Sequence, residues 1–171
     1  MIEGAARCWP KVSGGAFFAV RYPFCFFITP RYTPPVRQVI RVSNEICLEL
    51  VKHAQKQPRE ECCGLLAGEG GVITRVLAAR NAAEEKTKNY EIAPEELFQL
   101  MRETRGAGLR LMGIYHSHPN GNNEPSARDI ERAYYPDVAY FVLSPHADAL
   151  QRIRAFAIRE KVVNELDIHV V

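Results

Sequence analysis

From residue 36 onward the chain alternates short apolar runs with amphipathic segments, and the spacing of the apolar positions assigns each one. The stretch VRQVIRV at 36–42 is β-rich. Ser43 then stands as an N-cap ahead of Ile46, Cys47, Leu50, Val51 and Ala54, which recur at helical spacing and predict a helix to about Gln55. Pro58 ends it. Cys62 to Ala67 and Val72 to Ala79 are β-compatible runs separated by the hairpin signal GEGG, and the acid-rich loop Glu84 to Lys88 follows. Pro94 with Glu95 and Glu96 opens a second helix, because proline suits the first position and acids suit the positive end of the dipole. Leu97, Phe98, Leu100 and Met101 form its predicted apolar face, and Gly106 or Gly108 its stop. Leu109 to His116 reads as another strand, and Ser126 starts a further helix. Val138 to Leu143, Ile153 to Ile158 and Val162 to Val171 read as closing strands. With no internal repeat or low-complexity tract, this alternation predicts one α/β domain.

Composition fits that picture. The chain has 171 residues, 47% hydrophobic and 25% charged, with mean hydropathy −0.20. A chain of ~150 residues buries roughly 68–70% of its unfolded surface, so a core needs no covalent staple. The net charge of +2 hides an uneven distribution: residues 1–35 carry +3 and the remainder −1. Half the aromatic residues and 5 of the 11 prolines also fall in those first 35 residues. Arg21 and Pro23 interrupt the apolar stretch FFAVRYPFCFFI at 17–28, which is shorter than the ~20 apolar residues a membrane span needs. Glu3 precedes every basic residue and no small-x-small site follows Phe27, so the pattern of a signal peptide is missing. Pro30, Pro34 and Pro35 favour an extended connector. The expectation is an N-terminal extension over 1–35, outside the fold, and a domain over 36–171. The five cysteines, Cys8, Cys25, Cys47, Cys62 and Cys63, are odd in number and include an adjacent pair, which argues against a disulfide framework and fits a reducing cytoplasm. No C-x-x-C pair offers a thiolate zinc site. A domain of charge −1 with no basic stripe gives no reason to expect nucleic acid as a partner.

The chemistry lies in His116-Ser117-His118-Pro119 and, after the loop to Pro125, Ser126-Ala127-Arg128-Asp129. Residues i and i+2 of a strand share a side, so His116 and His118 can present two imidazoles together. Two neutral imidazoles and a carboxylate make a three-ligand zinc set with one open position. Asp129 is the natural third ligand, in the first turn of a helix folded back by a short loop, and Ser126 lies on the same helical face. Ser126-x-x-Asp129 is equally a capping pattern. Hydrolysis also needs a base, and the nearby acids Glu124 and Glu131 read as solvated, which leaves an acid from a distant segment. Ser117 points to the opposite face and reads as structural. Cys62 and Cys63 read as buried core residues, and His53, His146 and His169 as ordinary surface or loop residues. The loop Asn120 to Glu124 reads as a polar connector long enough to border a groove.

Together with Pro58-Arg59-Glu60-Glu61-Cys62-Cys63-Gly64-Leu65-Leu66-Ala67-Gly68, these motifs resemble the JAMM/MPN metalloprotease domain, whose pattern is a Glu, a variable gap, H-[ST]-H, seven residues and S-x-x-D. The similarity runs from about Val39 to Val171, and the chain resembles the small stand-alone prokaryotic members. It implies a single domain with a curved mixed β-sheet packed between helices, a fold similar to that of cytidine deaminases. It implies His116, His118 and Asp129 as ligands of one Zn2+ per chain, Glu61 as general acid/base and Ser126 as a donor to the carbonyl oxyanion. Glu60 is also acidic, but the E-x-C-G register favours Glu61. The implied reaction cleaves an amide bond at the C-terminal Gly-Gly tail of a ubiquitin-like sulfur-carrier protein, releasing cysteine or another amine. A general isopeptidase acting on ubiquitin-like conjugates and a non-catalytic MPN scaffold are the alternatives. A cytidine deaminase would need a P-C-x-x-C pair, and a (β/α)₈ amidohydrolase a longer chain.

Overall fold

A computed structural model describes residues 38–120, 122–146 and 151–171. The expectations placed on residues 1–35, on Val36 and Arg37 and on Gly121 lie outside the described residues. The elements run β1 (Val39–Val42), α1 (Asn44–Lys56), β2 (Cys63–Glu69), β3 (Val72–Ala79), α2 (Pro94–Gly106), β4 (Arg110–Ser117), α3 (Ala127–Glu131), β5 (Ala139–Leu143), β6 (Ile153–Arg159) and β7 (Val162–Val170). Each element predicted from periodicity is present. Ser43 occupies the N-cap of α1, although its side chain makes no capping hydrogen bond.

The strands are ordered β1-β3-β2-β4-β5-β6-β7. Pairs β1/β3, β4/β5 and β1/β7 are parallel and the rest antiparallel, so the sheet is mixed as expected. It curves further than expected and closes, because Val39 to Val42 pair with Asp167 to Val170. Closure removes the exposed edges of the sheet. The β2/β3 hairpin turns through Gly70 and Gly71 at φ +59° and +79°, the left-handed pair that a two-residue loop of this kind requires. The β6/β7 hairpin makes the same turn with Glu160 and Lys161 at φ +49° and +67°, where no glycine signals it.

Strand alternation divides the apolar residues into two clusters. One draws on all seven strands and on Ile46, Leu50 and Ala54 of α1, with Tyr115 and Phe141 among its largest members. The other lies on the opposite pleat face, where Leu65, Ile114, Tyr140 and Phe156 meet Leu97, Leu100 and Met101 of α2 and Ile130 of α3. Phe98 departs from its expected place and is 58% exposed. Leu97, Leu100, Met101 and Thr104 share the stripe facing the sheet, whereas Phe98 stands one residue round the helix with Arg102, whose guanidinium lies 5.9 Å from its ring. Gly64 of β2 is required by close approach: a Cβ there would lie 2.3 Å from the Leu77 carbonyl oxygen and 2.7 Å from the Tyr115 ring.

Candidate metal centre

The β2/β4 ladder explains how residues far apart in sequence meet. Cys63 stands opposite His116. The pairing continues past the strand ends, with the Ser117 N–H donating to the Cys62 carbonyl at 3.0 Å and the Cys62 N–H to Ser117 Oγ at 2.9 Å. The next antiparallel step brings Glu61 level with His118, and alternation turns Glu61 to the side of the two histidines. Glu61 is 4% exposed, while Glu60 points to solvent. Ser117 is fully buried in the structural role expected of it. Cys62 and Cys63 are buried and unpaired, and burial pushes the Cys63 thiol up to about 12, which keeps it protonated and inert.

Ligand atoms of Glu61, His116 and His118 lie within 4.8 Å of one another. His116 Nε2 is 3.0 Å from His118 Nε2, and Asp129 Oδ2 is 3.4 Å and 3.5 Å from the same two nitrogens. The last two separations are long for N–H···O hydrogen bonds. They match two ligands of one tetrahedral ion: with zinc–ligand bonds of about 2.0–2.2 Å, the ligand atoms stand roughly 3.3–3.5 Å apart. Two imidazoles and a carboxylate form a donor set that zinc accepts. Asp129 is the carboxylate at that spacing, whereas Glu61 belongs to the wider group.

Asp129 serves the capping pattern at the same time. Ser126 Oγ accepts from the Asp129 N–H at 3.2 Å, and the Ser126 N–H donates to Asp129 Oδ2 at 2.7 Å, a complete capping box at the start of α3. The capping reading of S-x-x-D is therefore realised, and the same Oδ2 faces the two imidazoles. A hydroxyl has one donor and two acceptor sites, so the Ser126 O–H proton is still available to a substrate oxygen.

Burial drives the electrostatics. It raises the Glu61 carboxyl to about 7, with His118 opposing and Asp129 reinforcing the shift. Burial also works against ionised Asp129, but the facing imidazoles of His116 and His118 outweigh it and hold the group well below the usual carboxylate range. His116 is lowered by burial against the pull of Asp129. For His118, burial is outweighed by Asp129 and by the Asn122 carbonyl, and the net direction is upward.

Three orienting contacts were not visible in the residue pattern. The His118 Nδ1–H donates to the Asn122 carbonyl at 2.5 Å, which turns the Nε2 lone pair toward His116 and Asp129. Tyr90 stacks on His116 with ring centroids 4.4 Å apart and planes at 16°, and His116 Nδ1 is buried without a hydrogen-bond partner. The Asn81 side chain bonds to the Glu61 backbone. Tyr90 and Asn81 flank a polar loop with no periodicity, so only the three-dimensional pairing reveals them. Beside Asp129, Tyr90, Tyr134, Tyr135 and Tyr140 wall an apolar pocket of about 180 Å³ over Leu65 and Ile114.

One histidine differs from expectation. His53 is half-buried, its Nδ1 2.8 Å from Tyr115 Oη, because its helical position faces β4 rather than solvent. His146 is exposed but bonds the Pro119 carbonyl at 2.7 Å, tying the loop after His118 to the end of β5. His169 is exposed as expected. Glu131 is exposed, and Glu124 pairs with Arg154 at 3.0 Å, so neither joins the centre.

The model of prokaryotic homologs of the JAB domain matches residues 43–159. A desampylase of Haloferax volcanii is 36% identical over 102 residues, covering 56% of this chain and 73% of the relative. A CysO-cysteine peptidase of Mycobacterium tuberculosis is 28% identical over 134 residues, covering 78% of this chain and 92% of the relative. The solution structure of a Desulfitobacterium hafniense protein superposes with TM-score 0.69 at 26% identity, covering 78% of this chain and 93% of that one.

Proposed function

The chain belongs to the family of prokaryotic homologs of the JAB domain, and from that premise we propose that it is a JAMM-type zinc peptidase of a ubiquitin-like sulfur-carrier protein. It hydrolyses the amide bond at the carrier's C-terminal Gly-Gly tail and releases cysteine or another amine. The observation that carries this reading is the convergence of Glu61 with His116 and His118 within 4.8 Å, with Asp129 at 3.4 Å and 3.5 Å from the two rings. The Mycobacterium tuberculosis relative, which spans most of this chain, supports a carrier-cysteine adduct as substrate.

His116, His118 and Asp129 would hold one zinc ion per chain. Bound there, zinc supplies Lewis acidity to the substrate carbonyl and acidifies water. Glu61, buried and level with His118, takes the proton of the attacking water on a carboxylate oxygen and returns it to the departing amine nitrogen. The Ser126 hydroxyl donates to the carbonyl oxygen as negative charge builds on it. The tyrosine-walled pocket beside Asp129 suits an apolar side chain upstream of the two glycines. A complete set of ligands, acid and hydroxyl has no purpose in a scaffold that only docks partners. The adjacent, unpaired cysteines Cys62 and Cys63 support a cytoplasmic setting. Among the described residues, no helix is long and apolar enough to cross a membrane.

Intact-mass analysis of zinc-loaded protein incubated with carrier-cysteine adducts and with ubiquitin-like fusions tests the reading. Loss of cysteine from the adduct is the expected result. Cleavage of fusions alone would replace it with a general isopeptidase, and cleavage of neither would remove the enzymatic reading.

A further inference from the structure

Asn81 follows β3 and is 7% exposed. Its amide has two donors and two acceptor sites, and all four are used. Nδ2 donates to the carbonyls of Glu61 and Asn89, each at 2.9 Å, and Oδ1 accepts from the N–H of Ala83 at 2.9 Å and of Glu91 at 3.2 Å. The residues on either side of Tyr90 are thus fastened to the same amide as Glu61. An isolated bridge between Asn81 and Ile92, and the Ala82 N–H to Glu91 carbonyl bond at 2.7 Å, close the loop behind it.

Glu61 needs such a fastening because it lies before β2, where the regular ladder has ended. Its N–H donates to the Lys86 carbonyl at 2.7 Å, so the same loop holds both backbone groups of Glu61. That loop also carries Tyr90 onto the His116 ring. We propose that Asn81 is a positioning residue for the reaction: one buried amide sets Glu61 against the histidine pair and Tyr90 against His116. The inference rests on Glu61 being the general acid/base. Asn81 touches no reacting atom and acts through the two segments it joins.

The test is a double-mutant comparison. Asn81→Asp keeps the shape and the acceptor oxygen but not the amide donors, and Asn81→Ser removes most of the side chain. Each variant is expected to lower kcat by about 10²-fold, the scale of an ångström-sized misplacement, with zinc affinity and KM close to those of the parent. In a Glu61→Gln background the same substitutions should lower the residual kcat by far less than in the parent, because the reacting group they position has lost its function and only the hold on Tyr90 is left to lose. An equal loss in both backgrounds, or a loss explained by weaker zinc binding, overturns the proposal. Should both variants fail to fold, amide exchange on the unaltered chain decides. The Glu61, Ala83 and Glu91 amides are expected to open as one unit, and independent opening of Glu91 overturns the clamp. A Glu61→Gln protein that turns over like the parent overturns the assignment of Glu61 and this inference with it. A slow Glu61→Gln with additive Asn81 losses overturns the inference alone.

Discussion

Ser126 carries an observed helix cap and a proposed catalytic hydroxyl, and a three-member substitution series tells them apart. Its Oγ accepts from the Asp129 N–H at 3.2 Å, so truncation to alanine removes the N-cap of a five-residue helix with no fully buried residue. Loss of such a cap costs about 1 kcal/mol, whereas glycine at the same position costs only a few tenths. For a domain of this size 1 kcal/mol corresponds to a fall in Tm of about 2–4 °C. The hydroxyl proton, which the cap does not use, is the proposed donor to the substrate oxyanion, and removing one such donor lowers kcat by about 10²- to 10³-fold. Ser126→Ala should therefore lose both stability and turnover, and Ser126→Gly should lose turnover at nearly parental Tm. Ser126→Thr should retain much of each. Thermal melting and steady-state kinetics on zinc-loaded protein read the two effects. Turnover within about threefold of the parent in Ser126→Gly would be far below the loss expected for an oxyanion donor and would refute the catalytic role. An unchanged Tm in Ser126→Ala would refute the energetic weight of the cap.

Glu61→Gln should keep its zinc, measured by metal analysis, and lose about 10²- to 10⁴-fold in kcat. Chelation should abolish cleavage and lower Tm, with both restored by zinc; free zinc at 1,000 times Kd stabilises by about 4.1 kcal/mol, and a Tm that ignores the chelator would contradict the proposed site. His53 gives a pH effect with a definite sign. Burial is the main cause that lowers its pKa in the fold, Lys56 adds to it and Glu49 opposes, while Tyr115 hydrogen-bonds to its Nδ1. A folded pKa below the unfolded value means that stability is lost as pH falls below about 6.5. Denaturation of parent and His53→Gln across that range should show a shallower acid decline in the variant, and parallel declines would rule His53 out.

Much of this was legible in the residue pattern, for reasons particular to each segment. The helical spacing of Ile46, Leu50 and Ala54 and the acidic start at Pro94 are local signals, and both helices appear where those signals lie. H-x-H and S-x-x-D are local too, and the structure brings their side chains together. The capping and ligand readings of S-x-x-D compete in the sequence, whereas the structure shows the cap and leaves Asp129 Oδ2 facing the histidines, so the proposed ligand role does not require the cap to break. Glu61 was accessible only through family resemblance, because nothing near it in sequence marks it and the β2/β4 register alone brings it level with His118. Asn81 and Tyr90 lie in a segment without periodicity, so their contacts depend on pairing that no local pattern encodes. Phe98 went astray because an apolar residue at the margin of a helical stripe can face either way.

The two halves of the centre differ in how firmly the fold holds them. His116 sits in a seven-stranded closed sheet with its neighbours paired on both sides, and His118 continues that ladder through an N–H bond to the Leu143 carbonyl at 2.9 Å. Asp129 sits on a helix of five residues. Isolated helices shorter than ~12–15 residues are marginal in water, so α3 depends on its capping box, on the packing of Ile130 against the second apolar cluster and on Asp129 facing the histidines. An ion shared by all three side chains would tie the weak element to the strong one. Ser126, on the same turn, would then be fixed by the ion that is proposed to polarise the carbonyl it would serve. The stability of α3 and the assembly of the proposed catalytic group would in this sense be one equilibrium.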